Sequence, residues 1–255
     1  MRETYRLVAV ADVLGMKSLL KNRPLSEVAG KVKKMEHAAK ERASIDSGGR
    51  YALEYRLFSD TVIFLSQPLD NVSEDDRKAY RRIFVSAMST FVFQSIIFKM
   101  PVRVGLAEGL VVVDGDMIVG QPIADADNCE KRQEWIGGIL HDSFGEFKRY
   151  MGKTPVDTVG YDVPLKSMNG GAVIVDRREA LDWVKTLVEL SLHDGEKDAS
   201  ECLDLLAEMR ENSGSDDRRI QQKYNETMTF LRWREQVLRR TGYYSRLEES
   251  RRKLF

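Results

Sequence analysis

Apolar and polar positions alternate along this chain in two rhythms, and the change from one to the other marks its elements. Tyr5 to Val13 is almost continuously apolar, which predicts a central strand buried on both faces. It ends in Asp12-Val13-Leu14-Gly15, where the glycine permits a sharp turn into a helix beginning near Met16. Val28, Val32, Met35 and Ala39 recur at helical spacing, so a helix is expected over 26–45, capped by Ser26 and ended by Ser47-Gly48-Gly49. Tyr51, Leu53, Tyr55 and Leu57 then alternate with polar or small residues. The run Tyr55 to Leu65 reads as a hairpin with Ser59-Asp60 at its tip.

Ser73 and Asp76 form a capping-box pattern ahead of a helix with Tyr80, Phe84, Ala87 and Phe91 on one face, stopped by Pro101. Val102 to Val113 is a long strand whose Gly105 and Gly109 allow a bulge or a close backbone approach. Asp114-Gly115-Asp116 turns it into a short return strand, Met117 to Val119. Gly120-Gln121-Pro122 opens a helix running through Trp135, and Gly137 to His141 reads as a strand. Phe144 to Met151 reads as a short helix, with late edge strands at Val163–Lys166 and Ala172–Val175. Beyond Asp176 the pattern is helical only, with apolar faces at Leu181, Val184, Val188 and Leu192, at Cys202, Leu205 and Met209, and at Tyr224, Met228, Leu231 and Leu238. A charged tail from Arg246 to Lys253 is expected to fray. This order predicts an α+β, ferredoxin-like sandwich over 1–175 with helices on one sheet face, followed by a helical extension over 176–255.

Composition removes several function classes. The 255 residues carry 40 lysines and arginines against 40 aspartates and glutamates, so net charge points to neither a nucleic-acid partner nor a membrane surface. Cys129 and Cys202 form no CxxC, and His37, His141 and His193 lie far apart, so a thiolate or histidine metal site is not indicated. Phe91 to Met100 is the most apolar stretch and is too short to cross a bilayer. With no signal-peptide pattern before the first strand, a cytoplasmic protein is expected.

The candidate chemistry sits at two strand ends. In the expected layout Asp12 and Asp60 converge, and two close carboxylates repel unless protonated or bridged by a cation. Oxygen-only ligands beside the helix-terminal N–H groups of Gly15, Met16 and Lys17 suit Mg²⁺ or Mn²⁺ bound with a polyphosphate, and a pair of such ions can activate a hydroxyl and steady a leaving phosphate. The competing reading of Asp60 is a turn former that caps its own backbone.

The segments AVADVLGMKSLL, YRLFSDTVIF and VRVGLAEGLVVVDGDMIVGQPIADADNCE, in that order, resemble the catalytic domain of class III nucleotidyl cyclases, most of all the bacterial pyrimidine cyclases of the Pycsar anti-phage system. The resemblance spans roughly Tyr5 to Val175 and implies that a ribose 3′-hydroxyl attacks the α-phosphorus of its own nucleotide, giving a 3′,5′-cyclic monophosphate and pyrophosphate. It implies two Mn²⁺ or Mg²⁺ ions on Asp12, Asp60 and the Val13 carbonyl, with Gly15, Met16 and Lys17 on the triphosphate. Arg56 would meet the base; the alternative is a surface arginine paired with Glu54. Tyr51 and Tyr55 would be base neighbours or core residues, Lys166 a triphosphate lysine or a solvated one, and Arg103 a family position or a structural one. A homodimer with composite sites, UTP ahead of CTP as substrate, and a downstream cyclic-nucleotide-responsive effector are also implied.

The chain departs from the purine cyclases. Ala124 and Asn128 occupy the places of their Asn and transition-state Arg, with Arg132 one turn further on. Met117 aligns with the adenine-reading aspartate, with Asp116 one place off. Gly120, Asp125, Ala126 and Glu130 fit the spacing of the pyrimidine branch. A catalytically degenerate cyclase-like binding domain and an adenylyl cyclase with unusual base contacts are the alternatives.

Overall fold

The computed structural model describes residues 2–144, 158–167, 172–194, 198–213 and 218–252. Strand β1 (Glu3–Val13) leads through a left-handed Gly15 (φ 76°) into α1 (Met16–Asn22), followed by α2 (Leu25–Ser47), which stops at the left-handed Gly48. The hairpin β2 (Leu53–Phe58) and β3 (Thr61–Ser66) precedes α3 (Glu74–Ile97), whose Ser73 side chain accepts from the Asp76 N–H as the capping pattern requires. Then come β4 (Val102–Asp114), β5 (Met117–Val119), α4 (Gln121–Arg132) and β6 (Gly137–Leu140). The hairpin β7 (Thr158–Lys166) and β8 (Val173–Leu181) feeds four helices: α5 (Trp183–Asp194), α6 (Ala199–Asn212), α7 (Arg218–Arg240) and α8 (Tyr243–Arg252).

Among the described residues the strands form one mixed, eight-stranded sheet in the order β2-β3-β1-β4-β6-β8-β7, with β5 paired to β4. The first four strands have the ferredoxin-like arrangement, β1 lying between β3 and β4 and antiparallel to both. β6 continues the sheet parallel to β4, so the chain crosses over through α4 between them.

Helices cover both faces, not the one face expected. Leu7, Ala9 and Ala11 of β1 pack with Met35 of α2 and with Phe84 and Phe91 of α3 in the main core. Val8 and Val10 point the other way, into a smaller cluster with Leu65, Ala107, Val111 and Ala126 of α4. Gly105 and Gly109 make that second layer possible. A Cβ on Gly105 would stand 1.9 Å from the Ala126 carbonyl oxygen, and one on Gly109 2.9 Å from Pro122 Cγ.

Other expectations need correction. Pro24, not Ser26, occupies the N-cap of α2 and offers no side-chain bond. α4 ends at Arg132 rather than Trp135, because Gln133 turns extended and its amide donates to the carbonyls of Val104 and Cys129. β8 passes the boundary expected at 175 and ends at Leu181, which is a strand residue and not part of a helix. The tail through Arg252 is helical. Of the helix expected over 144–151, Phe144 closes a short 3₁₀ turn and the rest lies outside the described residues.

The C-terminal helices share the sheet's core. Phe230 of α7 stands edge-on to Trp135 at 4.8 Å, and Arg234 grips the fully buried Asp182 at 2.6 Å, tying α7 to the end of β8. No described helix is long and apolar enough to cross a membrane.

Candidate active site

The site is built at one end of the sheet, where β1 finishes, the β2–β3 hairpin turns and β4 begins. Asp12 pairs with Thr61 across β1 and β3, and the next rung is closed by the Val13 N–H donating to the Asp60 carbonyl at 2.9 Å. Asp60 follows Ser59, whose positive φ of 58° turns the hairpin in two residues. The backbone thus places the two acids on neighbouring strand ends, as the sequence suggests.

Their side chains differ in engagement. Among the described residues no side-chain partner meets the half-buried Asp60, so nothing in the turn consumes its carboxylate. Asp12 accepts from Arg103 Nη2 at 2.9 Å. Arg103 also stands 2.6 Å from Glu130 of α4 and donates to the Gln133 carbonyl at 3.1 Å. Sequence reading placed Glu130 only in a spacing pattern; its part in this Asp12–Arg103–Glu130 chain depends on α4 crossing over Gly105. Burial pushes the Glu130 carboxyl up to about 7, against the pull of Arg103. Arg103 Nε is buried with no partner among the described residues.

Gly15, Met16 and Lys17 sit at the turn into α1, beside the end of β1. Met16 buries its side chain, while Gly15 and Lys17 are exposed. Their amides belong to the first turn, where a helix leaves N–H groups without intrahelical acceptors. Lys166, the last residue of β7, also reaches this end of the sheet: it stands 3.3 Å from Glu134 and donates to the Lys131 carbonyl. It is therefore not a purely solvated lysine. Arg132 donates to the Lys166 carbonyl at 3.1 Å.

Arg56 is not paired with Glu54, because Glu54 takes Arg6 at 3.0 Å; Arg56 donates instead to the Tyr55 carbonyl. It pairs with Ile63 two rungs inward from the Phe58–Thr61 rung, on the sheet face that carries Asp12. Tyr51 lies beyond the other end of that hairpin, buried against Tyr80 at 5.1 Å, and Tyr55 packs toward Phe64, so this chain does not bring Tyr51 together with its own acids. Met117 and Asp116 occupy the β4–β5 turn, at the opposite end of β4 from Arg103.

Asp60, Asp12 and the Val13 carbonyl fit a hard divalent cation by donor type. Among the described residues no group of three or more acidic, histidine or cysteine side chains is clustered to hold a metal. Two acids would thus supply part of a shell completed by carbonyl, water and phosphate oxygens.

No protein-family model matches the chain, and no curated protein does. Among solved structures it is similar to the adenylyl cyclase CyaB from P. aeruginosa, at 13% identity over 71% of this chain and 95% of that one, with a TM-score of 0.49. It is also similar to a bacterial light-regulated adenylyl cyclase, at 9% identity over 82% and 100% of the two chains and a TM-score of 0.48. A third is the catalytic core of a rhodopsin-guanylyl cyclase with converted specificity in complex with ATPαS, at 14% identity over 71% and 97% and a TM-score of 0.47.

Proposed function

We propose that the chain is a nucleotidyl cyclase acting on a pyrimidine nucleoside triphosphate, UTP ahead of CTP. The observation that carries this reading is the adjacency of Asp12 and Asp60, joined by the Val13–Asp60 backbone bond beside the Gly15 turn. In the reaction the 3′-hydroxyl oxygen bonds to the α-phosphorus, the bond from that phosphorus to the bridging oxygen breaks, and pyrophosphate leaves as the hydroxyl proton is lost. Asp12, Asp60 and the Val13 carbonyl would hold two Mn²⁺ or Mg²⁺ ions, which supply charge neutralisation at the attacking and leaving oxygens. The amides of Gly15, Met16 and Lys17 orient the triphosphate. Arg56 approaches the base, and its forked donors suit the carbonyl edge of a pyrimidine.

A homodimer with sites shared between copies belongs to the same proposal. Phe58, 54% exposed on the rung that carries Asp12, gives a second copy an apolar position to cover. The proposed product is a second messenger read by a cyclic-nucleotide-responsive effector in defence against phage. A second reading has its own support: Arg103 already occupies Asp12, and Asn128 stands where an arginine would serve the transition state. On that reading the chain binds nucleotide without converting it. Incubating the protein with each of the four nucleoside triphosphates and Mn²⁺ separates the two. Cyclic UMP or CMP with pyrophosphate is expected; cyclic AMP would make it an adenylyl cyclase; binding without any cyclic product would leave the second reading.

A further inference from the structure

A cavity of about 480 Å³ opens between α1 and the C-terminal helices, with Gly15 and Ser18 on one wall and Met209, Lys223 and Tyr224 on the other. Two of its cations are already paired, Lys99 with Glu208 at 2.5 Å and Arg23 with Glu27 at 2.6 Å. Lys223 is held differently. Its nearest carboxylate among the described residues, Glu134, lies 4.0 Å away. That carboxylate is buried and already takes Arg219 through two bonds, at 3.0 and 2.7 Å, and Lys166 at 3.3 Å.

One negative charge therefore serves three cations, and Lys223 is the most loosely held of them. Burial, and then the nearby Arg103 guanidinium, pull its ammonium down to about 8 against the opposing pull of Glu134. Arg103 is also the partner of Asp12, so Lys223 belongs to the electrostatic surroundings of the candidate site. A half-compensated, nearly buried ammonium is costly in the absence of an anion. The apolar walls of the cavity, Leu19, Pro101 and Ile220, strengthen its attraction for one.

We propose that Lys223 of α7 binds the polyphosphate of the nucleotide, opposite the Gly15 turn, so that the C-terminal helices complete the phosphate end of the site. This rests on the cyclase reading for the identity of the nucleotide. The helices would then be part of the binding machinery and not a cover over the sheet.

The test uses the full chain, with inorganic tripolyphosphate as the probe in calorimetric titration and steady-state kinetics on whichever triphosphate is converted. Losing one charge-assisted contact predicts that Lys223→Met weakens tripolyphosphate binding roughly ten-fold or more. Lys223→Arg should stay within about three-fold, since it keeps the charge. The wild type should lose affinity as pH rises through about 8, while Lys223→Arg holds it to higher pH. The charges facing Lys223 in that titration are Arg103 on β4, Glu134 before β6, Lys166 on β7 and Arg219 on α7. Should Lys223→Met fail to fold, the comparison of wild type with Lys223→Arg across pH decides the matter.

Unchanged tripolyphosphate affinity in Lys223→Met, or no binding by the wild type, overturns the proposal. If Lys223-dependent binding is seen but no triphosphate is cyclised, the anion site stands and the cyclase reading falls. If cyclisation proceeds with unchanged KM in Lys223→Met, the reverse holds.

Discussion

Arg103 Nη2 lies 2.9 Å from Asp12 Oδ2, across the rung that pairs β1 with β4, and the same nitrogen lies 2.6 Å from Glu130. One guanidinium thus balances two carboxylates at one end of the sheet. Arg103→Met leaves both without their partner, and removing one member of a buried pair costs about 3–5 kcal/mol. A urea melt at pH 8 should show that loss, with Arg103→Lys losing less because it keeps the charge, although it gives up the bond to the Gln133 carbonyl.

Asp60 should separate function from stability. Its carboxylate has no side-chain partner among the described residues, so Asp60→Asn should leave stability within about 0.5 kcal/mol. Turnover of the triphosphate should fall on the order of a hundred- to a thousand-fold, the scale of losing one preorganised group that stabilises charge. Asp12→Asn should lower both, since it also weakens the hold on Arg103. Full activity in Asp60→Asn would sink the proposed role of that acid.

Glu130 makes stability depend on pH. Its folded value near 7 lies above its ordinary 4.5, so between those values the folded chain keeps a proton that the unfolded chain releases. Stability from this group is full below about pH 4.5 and is lost as pH rises through 7, by roughly 3–4 kcal/mol at most. Denaturant midpoints at pH 5 and pH 8 should converge in Glu130→Gln relative to the wild type. An unaltered difference would mean that Arg103 keeps Glu130 ionised throughout.

Gly105 has no room for a side chain. Gly105→Ala drives a methyl group into the Ala126 carbonyl and Glu130 amide, so α4 must move off the sheet. The expected cost is about 3 kcal/mol or more, read as a lower thermal midpoint. Because Glu130 rides on α4, the pH response of the preceding paragraph should weaken in the same variant.

Much of this was legible in the sequence because it depends on local rules. The double-sided apolar run of β1, the Ser59-Asp60 turn and the paired glycines of β4 each state a backbone requirement within a few residues. The apolar positions of β1 on both faces already demanded cover on both sides, which the expectation of a single helical layer failed to use. What stayed hidden depends on distant partners. Glu134 reads as one more acid at a helix end until Arg219, 85 residues away in sequence, lies against it. Similarly, β8 extends through the polar stretch Asp176-Arg177-Arg178 because β7 pairs with it residue for residue, which no periodicity announces.

The junction between sheet and C-terminal helices holds all three tryptophans of the chain. Trp135 and Trp183 are fully buried, and Trp233 packs beside them against Tyr161 and Phe230. Intrinsic fluorescence therefore reports on this one region. Detachment of the C-terminal helices would redden the emission while the β2–β3 hairpin stayed intact. Because Lys223 lies two turns before Phe230 on the same helix, an anion that draws α7 toward Gly15 would be seen in the same signal, without any label.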